Sequence, residues 1–326
     1  MLPQPAFDFP STLRIPRQRV RTAQETPRPQ RFEMVEKIPK ELVHLRVEDS
    51  VLITGWTRHD DTRCSLTAVW PADASPGRDG RPDSLLIPQT IRQSGLALAH
   101  AEFGAPLTHQ TLLEQFDYTV DPHYRLTAGE PAAVEVEAVC TEAGRRGHTL
   151  TGLRIEMTIR QGGQVVARSD SRFSWISPAV FRRLRGDYAV ITGWGEWPLP
   201  GPVLPRVAGR TAAQEIVLSP TGRAHRWQLR CDAGNPALFD HPVDHVPGLV
   251  LIEAAHQAAN ARTSGMFTPA SVTTAFSRYV EFDAPCWIEA TVLPTEQPGI
   301  VSVEVSGHQQ GEVAFRSTLT GPLNEG

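Results

Sequence analysis

Hydrophobic and polar positions alternate with two different periods along this chain. In VEVEAV (134–139) every second residue is apolar, the mark of a half-buried antiparallel strand. ELVHLRVEDSVLITGW (41–56), CSLTAVW (64–70), FDYTV, LTGLRIEMTIR and QVVARSDSRFSWI have strand composition as well. The period changes in SLLIPQTIRQSGLALAHAEFG (84–104), which reads as a helix with Pro88 in its opening turn. The loop before it, PADASPGRDGRPD (71–83), is too rich in Gly, Pro and Asp for regular structure.

The order then repeats. EIVLS and RAHRWQLRC read as strands, and PGLVLIEAAHQAANA (247–261) as an apolar helix. YVEFDAPCWIEATVLP, IVSVEVSGH and EVAFRSTLTG read as closing strands. LLIPQTIRQSG aligns with LVLIEAAHQAA without a gap, Gln93 over Gln257, so the chain reads as a tandem duplication. A helix apolar nearly all round must be covered nearly all round. The expected fold is therefore α+β: a tandem (double) hotdog, each copy an antiparallel sheet wrapped around one long apolar helix. The expected division is a Pro/Arg-rich arm at 1–39, a first hotdog at 40–178, a linker at 179–210 and a second hotdog at 211–326. The linker contains GWGEWPLPGPVLPR, semi-rigid by its proline content. The arm is either surface-draped or a dock for an acidic partner such as a carrier protein.

Polar residues on these helices carry the candidate chemistry. Glu253, His256, Gln257 and Asn260 share one face of the second helix. The plain alternative is a hydrogen-bonded helix edge between the copies. His241 and His245 precede that helix in DHPVDH, and His241 is a candidate proton carrier. Pro247-Gly248 opens a helix N-terminus where free N–H groups can polarise a carbonyl oxygen. The first helix carries Gln89, Arg92 and Gln93 at the equivalent positions, with His100 further on. A buried arginine needs a partner, either a salt bridge or a ligand phosphate or carboxylate. His44, read within the first strand, and His109 have no assigned role. The tryptophans Trp56, Trp70, Trp194 and Trp197 read as core or interface anchors.

Composition narrows the classes. With 326 residues and net charge -4, no basic field marks a nucleic-acid binder. No apolar run approaches a membrane span, and the N-terminus lacks the apolar stretch of a secretory signal. The four cysteines have no C-x-x-C spacing, which argues against a disulfide framework or zinc site and fits a reducing cytoplasm. Neither a metal nor a cofactor is expected.

HPVDHVPGLVLIEAAHQ resembles the signature of hotdog 3-hydroxyacyl-carrier-protein dehydratases. VHLRVEDSVLITGW, LLIPQTIRQSGLALAHAEFGAPLTHQ and DHPVDHVPGLVLIEAAHQ together resemble something narrower, the A-factor biosynthesis hotdog family of γ-butyrolactone and butenolide signal synthases of actinobacteria. That resemblance covers about residues 40 to 320. It implies an acyltransferase-type reaction. A β-ketoacyl group passes from acyl carrier protein to the hydroxyl of dihydroxyacetone phosphate, and the ester closes to a phosphorylated butenolide.

On this reading Glu253 or His241 takes the hydroxyl proton, with Gln89 at the catalytic site. Arg92 holds the phosphate, and Gln93, His245, Gly248, His256 and Gln257 complete substrate binding. The family commonly has Glu where this chain has Gln89, and Arg where it has His256. These departures keep open a non-catalytic acyl-thioester binder and a dehydratase or thioesterase. In paired hotdogs His241 would face Gln89, and Glu253 would face the histidine-free 71–83 loop, which argues against dehydration. The protein would be a monomer whose copies form a pseudo-dimer, or a homodimer.

Overall fold

A computed structural model describes residues 36–72, 74, 80–127, 129–265 and 267–323. The first 35 residues of the expected arm, and part of the 71–83 loop, lie outside the described residues. The first half contributes β1 (Ile53–Arg58), β2 (Arg63–Trp70), helix α1 (Leu86–Ala101), β3 (Gln110–Val120), β4 (Ala132–Arg146), β5 (Thr149–Gln161) and β6 (Gln164–Ile176). Helix α2 (Pro178–Arg185) follows. The second half contributes β7 (Leu218–Pro220), β8 (Arg226–Leu229), helix α3 (Gly248–Arg262), β9 (Ser271–Phe276), β10 (Cys286–Leu293), β11 (Ile300–Gln309) and β12 (Glu312–Pro322).

Among the described residues twelve strands form one antiparallel sheet in the order β1-β2-β4-β5-β6-β3-β9-β12-β11-β10-β8-β7. That order is palindromic: each half repeats the same pattern outward from the central β3–β9 pair. The two halves join there, with Phe116 opposite Thr274 and Tyr118 opposite Val272. The pairing gives each half's edge strand a partner and makes the sheet continuous. α1 and α3 are wrapped by the sheet. Thirteen of the sixteen α1 residues are buried, which explains a helix with almost no polar face. In β4 the alternation is literal: Val134 and Val136 point inward, Glu135 and Glu137 outward.

Three local predictions need correction. Only Ile53–Arg58 of the expected first strand is extended; before it come 3-10 turns at Lys40–Val43 and Glu48–Ser50. The run Glu48-Asp49-Ser50 interrupts the alternation that a strand requires. The expected strand YVEFDAPCWIEATVLP begins only at Cys286, because Pro285 has no N–H for a ladder. β9, which joins the halves, was not expected: SVTTAF is short and half Ser and Thr.

Residues 190–210 are irregular but packed. Trp197 stacks on Phe282 with ring centroids 4.2 Å apart and donates Nε1–H to the Cys231 carbonyl. Trp194 meets Trp197, Phe239 and Phe282 edge-on. Among the described residues no helix is long and apolar enough to cross a membrane.

Candidate active site

A cavity of about 1180 Å³ lies between the halves. His44, Gln89, Arg92, Leu96, Phe116 and Phe173 line it from the first half. Asp240, His241, His245, Gly248, Leu251 and Phe276 line it from the second. It is large enough for an acyl chain and a polar head together. The loop before α3 builds one wall, and its repeated Asp-His steps give two similar units.

His241 Nδ1 lies 3.0 Å from Asp240 Oδ2. The ionised carboxylate only accepts, so Nδ1 carries the hydrogen and Nε2 keeps its lone pair. Asp240 also accepts from the backbone N–H groups of Arg46, at 2.5 Å, and Val47, at 3.1 Å, which pins the second-half loop to the first half. Burial alone would raise the Asp240 carboxyl, but these N–H donors and His241 hold it below the usual carboxylate range.

His245 is held the same way by Asp244, at 3.0 Å, with Tyr279 packed edge-on against its ring. Asp244 accepts from Arg185, which also forms a two-pronged pair with Glu281. Against the effect of burial, His245 and Arg185 lower the Asp244 carboxyl. No side chain caps α3, so its first N–H groups stand open at the cavity end around Gly248.

Across the cavity, Gln89 donates Nε2–H to the Ala237 carbonyl at 3.4 Å, and among the described residues its buried Oε1 has no partner. Gln89 therefore touches the loop that carries His241, at Ala237. Arg92 donates one N–H to the Val43 carbonyl at 3.3 Å. Among the described residues it has no carboxylate within 4.0 Å. Burial pushes its guanidinium down to about 10, opposed by Asp240.

Of the other predicted residues, Gln93 and Glu253 also line the cavity, but with their hydrogen-bonding groups engaged, and His256 and Gln257 do not line it. Glu253 is 1% exposed and all four of its acceptor positions are taken. Oε1 accepts from Arg210 Nε at 2.8 Å and Gln257 Nε2 at 2.6 Å. Oε2 accepts from Arg210 Nη2 at 2.7 Å and Ser84 Oγ at 2.7 Å. Glu253 thus meets Ser84, the residue after the 71–83 loop, as an anchor. With every acceptor position engaged, this geometry does not support its expected role as base.

Arg210 reaches it because Gly209 passes over α3: a β-carbon there would fall 1.6 Å from Asn260 Nδ2, and its φ is +70°. Burial lowers Arg210, but Glu253 and Asp83 outweigh it and raise the guanidinium overall.

Gln93 and Gln257 are corrected too. Gln93 accepts from Leu52 N–H at 2.7 Å and donates to the Ser50 carbonyl at 2.9 Å. Gln257 accepts from Val217 N–H at 3.0 Å and donates to the Glu215 carbonyl at 2.8 Å. Both clamp the backbone that leads into their half's first strand. His256 is outside the cavity lining, 2.6 Å from Tyr118 Oη on β3, and burial pushes it down to about 3.

Sequence reasoning missed Asp240, Arg210 and His44. The Asp-His repeat was a usable signal for Asp240; for the other two, distance along the chain hid the partner.

Comparison with known proteins follows this geometry. Residues 27–177 and 196–323 match the model of the A-factor biosynthesis hotdog domain. The chain is 44% identical over 285 residues to a 2-oxo-3-(phosphooxy)propyl 3-oxoalkanoate synthase of Streptomyces virginiae, covering 86% of this chain and 96% of that one. It is 36% identical over 299 residues to the protein of the same name from Streptomyces griseus, covering 90% and 98%. Among solved structures, the 12:0-ACP thioesterase from Umbellularia californica aligns with a TM-score of 0.51 at 16% identity, over 82% of this chain and 99% of that one. At that identity the likeness speaks for the double-hotdog fold alone.

Proposed function

The chain belongs to the A-factor biosynthesis hotdog family, and from that premise we propose that its cavity transfers a 3-oxoacyl group to a phosphorylated hydroxyketone. It is a transferase-type enzyme. The acyl donor is a 3-oxoacyl thioester on acyl carrier protein, and the acceptor is dihydroxyacetone phosphate. The hydroxyl oxygen attacks the thioester carbon and the carbon–sulfur bond breaks. His241 Nε2 takes the hydroxyl proton and returns it to the departing thiolate. Asp240 keeps the imidazole in that tautomer and offsets its transient charge. The open N–H groups at Gly248 face the charge that develops on the carbonyl oxygen. Arg92 holds the phosphate, and Gln89 lines the cavity beside the reacting groups. The ester's activated methylene then attacks the ketone and loses water, giving a phosphorylated butenolide.

The observation that carries this reading is an arginine with no carboxylate within 4.0 Å among the described residues and a carboxylate-oriented histidine, both lining one cavity. Mass spectrometry of protein mixed with a 3-oxoacyl pantetheine thioester and dihydroxyacetone phosphate tests it. A phosphorylated ester or butenolide is expected, reduced about 100-fold or more in His241→Ala. Free acid released at the same rate without the acceptor would replace the transferase with a thioesterase. An unchanged, bound thioester would leave a non-catalytic binder.

A further inference from the structure

His44 has no part in the reaction above, yet its surroundings fix its chemistry closely. It ends the Lys40–Val43 turn in the left-handed region, at φ 54° and ψ 45°. Residues with a β-carbon seldom adopt this conformation, although His is among those that tolerate it. The conformation lays its ring on His100 of α1, with 2.8 Å between the two Nε2 atoms. His100 Nδ1 is 2.8 Å from the Ala105 carbonyl, which can only accept. His100 therefore carries its hydrogen on Nδ1 and presents a lone pair at Nε2. The hydrogen between the rings must then belong to His44 Nε2, so His44 Nδ1 is a bare acceptor. Among the described residues that nitrogen has no hydrogen-bond partner, and the residue lines the cavity.

Its charged neighbours are few. Arg92 is tied to the carbonyl of Val43, the residue before His44. Burial, with His100, Arg92 and His241, pushes His44 down to about 3, so the ring stays neutral. Asp240, beside Arg92 and His241, adds a negative charge rather than a positive one. Around Arg92 the cavity thus offers a guanidinium with no carboxylate within 4.0 Å among the described residues and, at His44 Nδ1, a neutral acceptor that cannot donate. A phosphomonoester dianion would bring two charges to one cation, and three acceptor oxygens to a nitrogen that needs a hydrogen.

We propose that the cavity binds the acceptor's phosphate as its monoanion, with the P–OH donating to His44 Nδ1 and the ionised oxygens held by Arg92. This rests on the proposed function's placement of the phosphate at Arg92. No covalent step is involved: a proton is lost to buffer or taken from it when the phosphate's ionisation changes on binding. The second pKa of such a phosphate is about 6, so at pH 7.5 binding is coupled to proton uptake.

The test is ³¹P NMR of dihydroxyacetone phosphate bound to the full-length protein at pH 7.5, with titration calorimetry in two buffers of different ionisation heat. The expected result is a monoanion chemical shift and uptake of about one proton per phosphate bound. His44→Asn keeps a residue suited to the left-handed conformation but is too short to reach the P–OH. It should weaken binding about tenfold or more and abolish the proton uptake. A bound dianion without proton uptake would overturn the monoanion and leave the transferase reading standing. Binding that is absent in the wild-type protein and stays absent with a thioester analogue present would overturn the phosphate's placement, and both readings with it. Unchanged affinity and proton uptake in His44→Asn would remove His44 from the site.

Discussion

The equivalent helix faces of the two halves have kept one contact and parted at another. Gln93 and Gln257 make the same double hydrogen bond to the backbone before their half's first strand. Four residues earlier, Gln89 lines the cavity and its buried oxygen has no partner among the described residues, while Glu253 is engaged by Arg210, Ser84 and Gln257. The pair one residue before each clamp has parted as well: Arg92 faces the cavity, and His256 is paired with Tyr118. At these matched helix positions the second half engages its polar groups in structural contacts, while Arg92 of the first half has no carboxylate within 4.0 Å among the described residues. A polar helix stripe is therefore not by itself a site; what decides is whether its hydrogen-bonding capacity is already filled.

The comparison can be broken most forcefully at Glu253. Glu253→Ala leaves Arg210 buried without its counter-charge and should cost about 3–5 kcal/mol in urea unfolding. Gln89→Ala at the matched position should cost less than about 1 kcal/mol and reduce acyl transfer instead. Equal costs at the two positions would refute the division of labour.

Next come the clamps. Gln93→Leu and Gln257→Leu should each cost about 2 kcal/mol, because two buried backbone groups lose a partner in each. Similar values in the two halves would confirm that this contact is shared.

Acid sensitivity is a smaller effect. His256 titrates near 3 when folded but near 6.5 when unfolded, so between those values the unfolded chain binds the extra proton. Its contribution is whole above pH 6.5 and falls toward pH 3 at up to about 1.4 kcal/mol per pH unit. His256→Gln should flatten that slope in thermal melts between pH 4 and 6. Arg92, its counterpart, does not titrate in that window. Smallest in stability is Arg92→Ala, which should leave the melting temperature within a few degrees. It should raise KM for the phosphorylated acceptor about 100-fold, with KM for the thioester little changed.

Much of the fold was legible because its cues are local. The alternation in β4, the apolar α1 and α3, and the repeated order of elements follow from periods of a few residues. β9 escaped because six residues rich in Ser and Thr carry little hydrophobic signal. In the site, Gln89, Arg92, His241, His245 and Gly248 were found and do line the cavity. Glu253, Gln257 and His256 were plausible by residue type, but their partners settled their roles.

The sequence by itself determined the tandem hotdog, the two buried helices and the loop that carries the histidines, because backbone propensity and burial act over neighbouring residues. Only the tertiary structure decided which polar groups were left open. Ser84 reaches Glu253 across 169 positions and His44 reaches His100 across 56. Whether a side chain is spent on a partner or remains free for a ligand depends on such long-range closures, which no local pattern encodes.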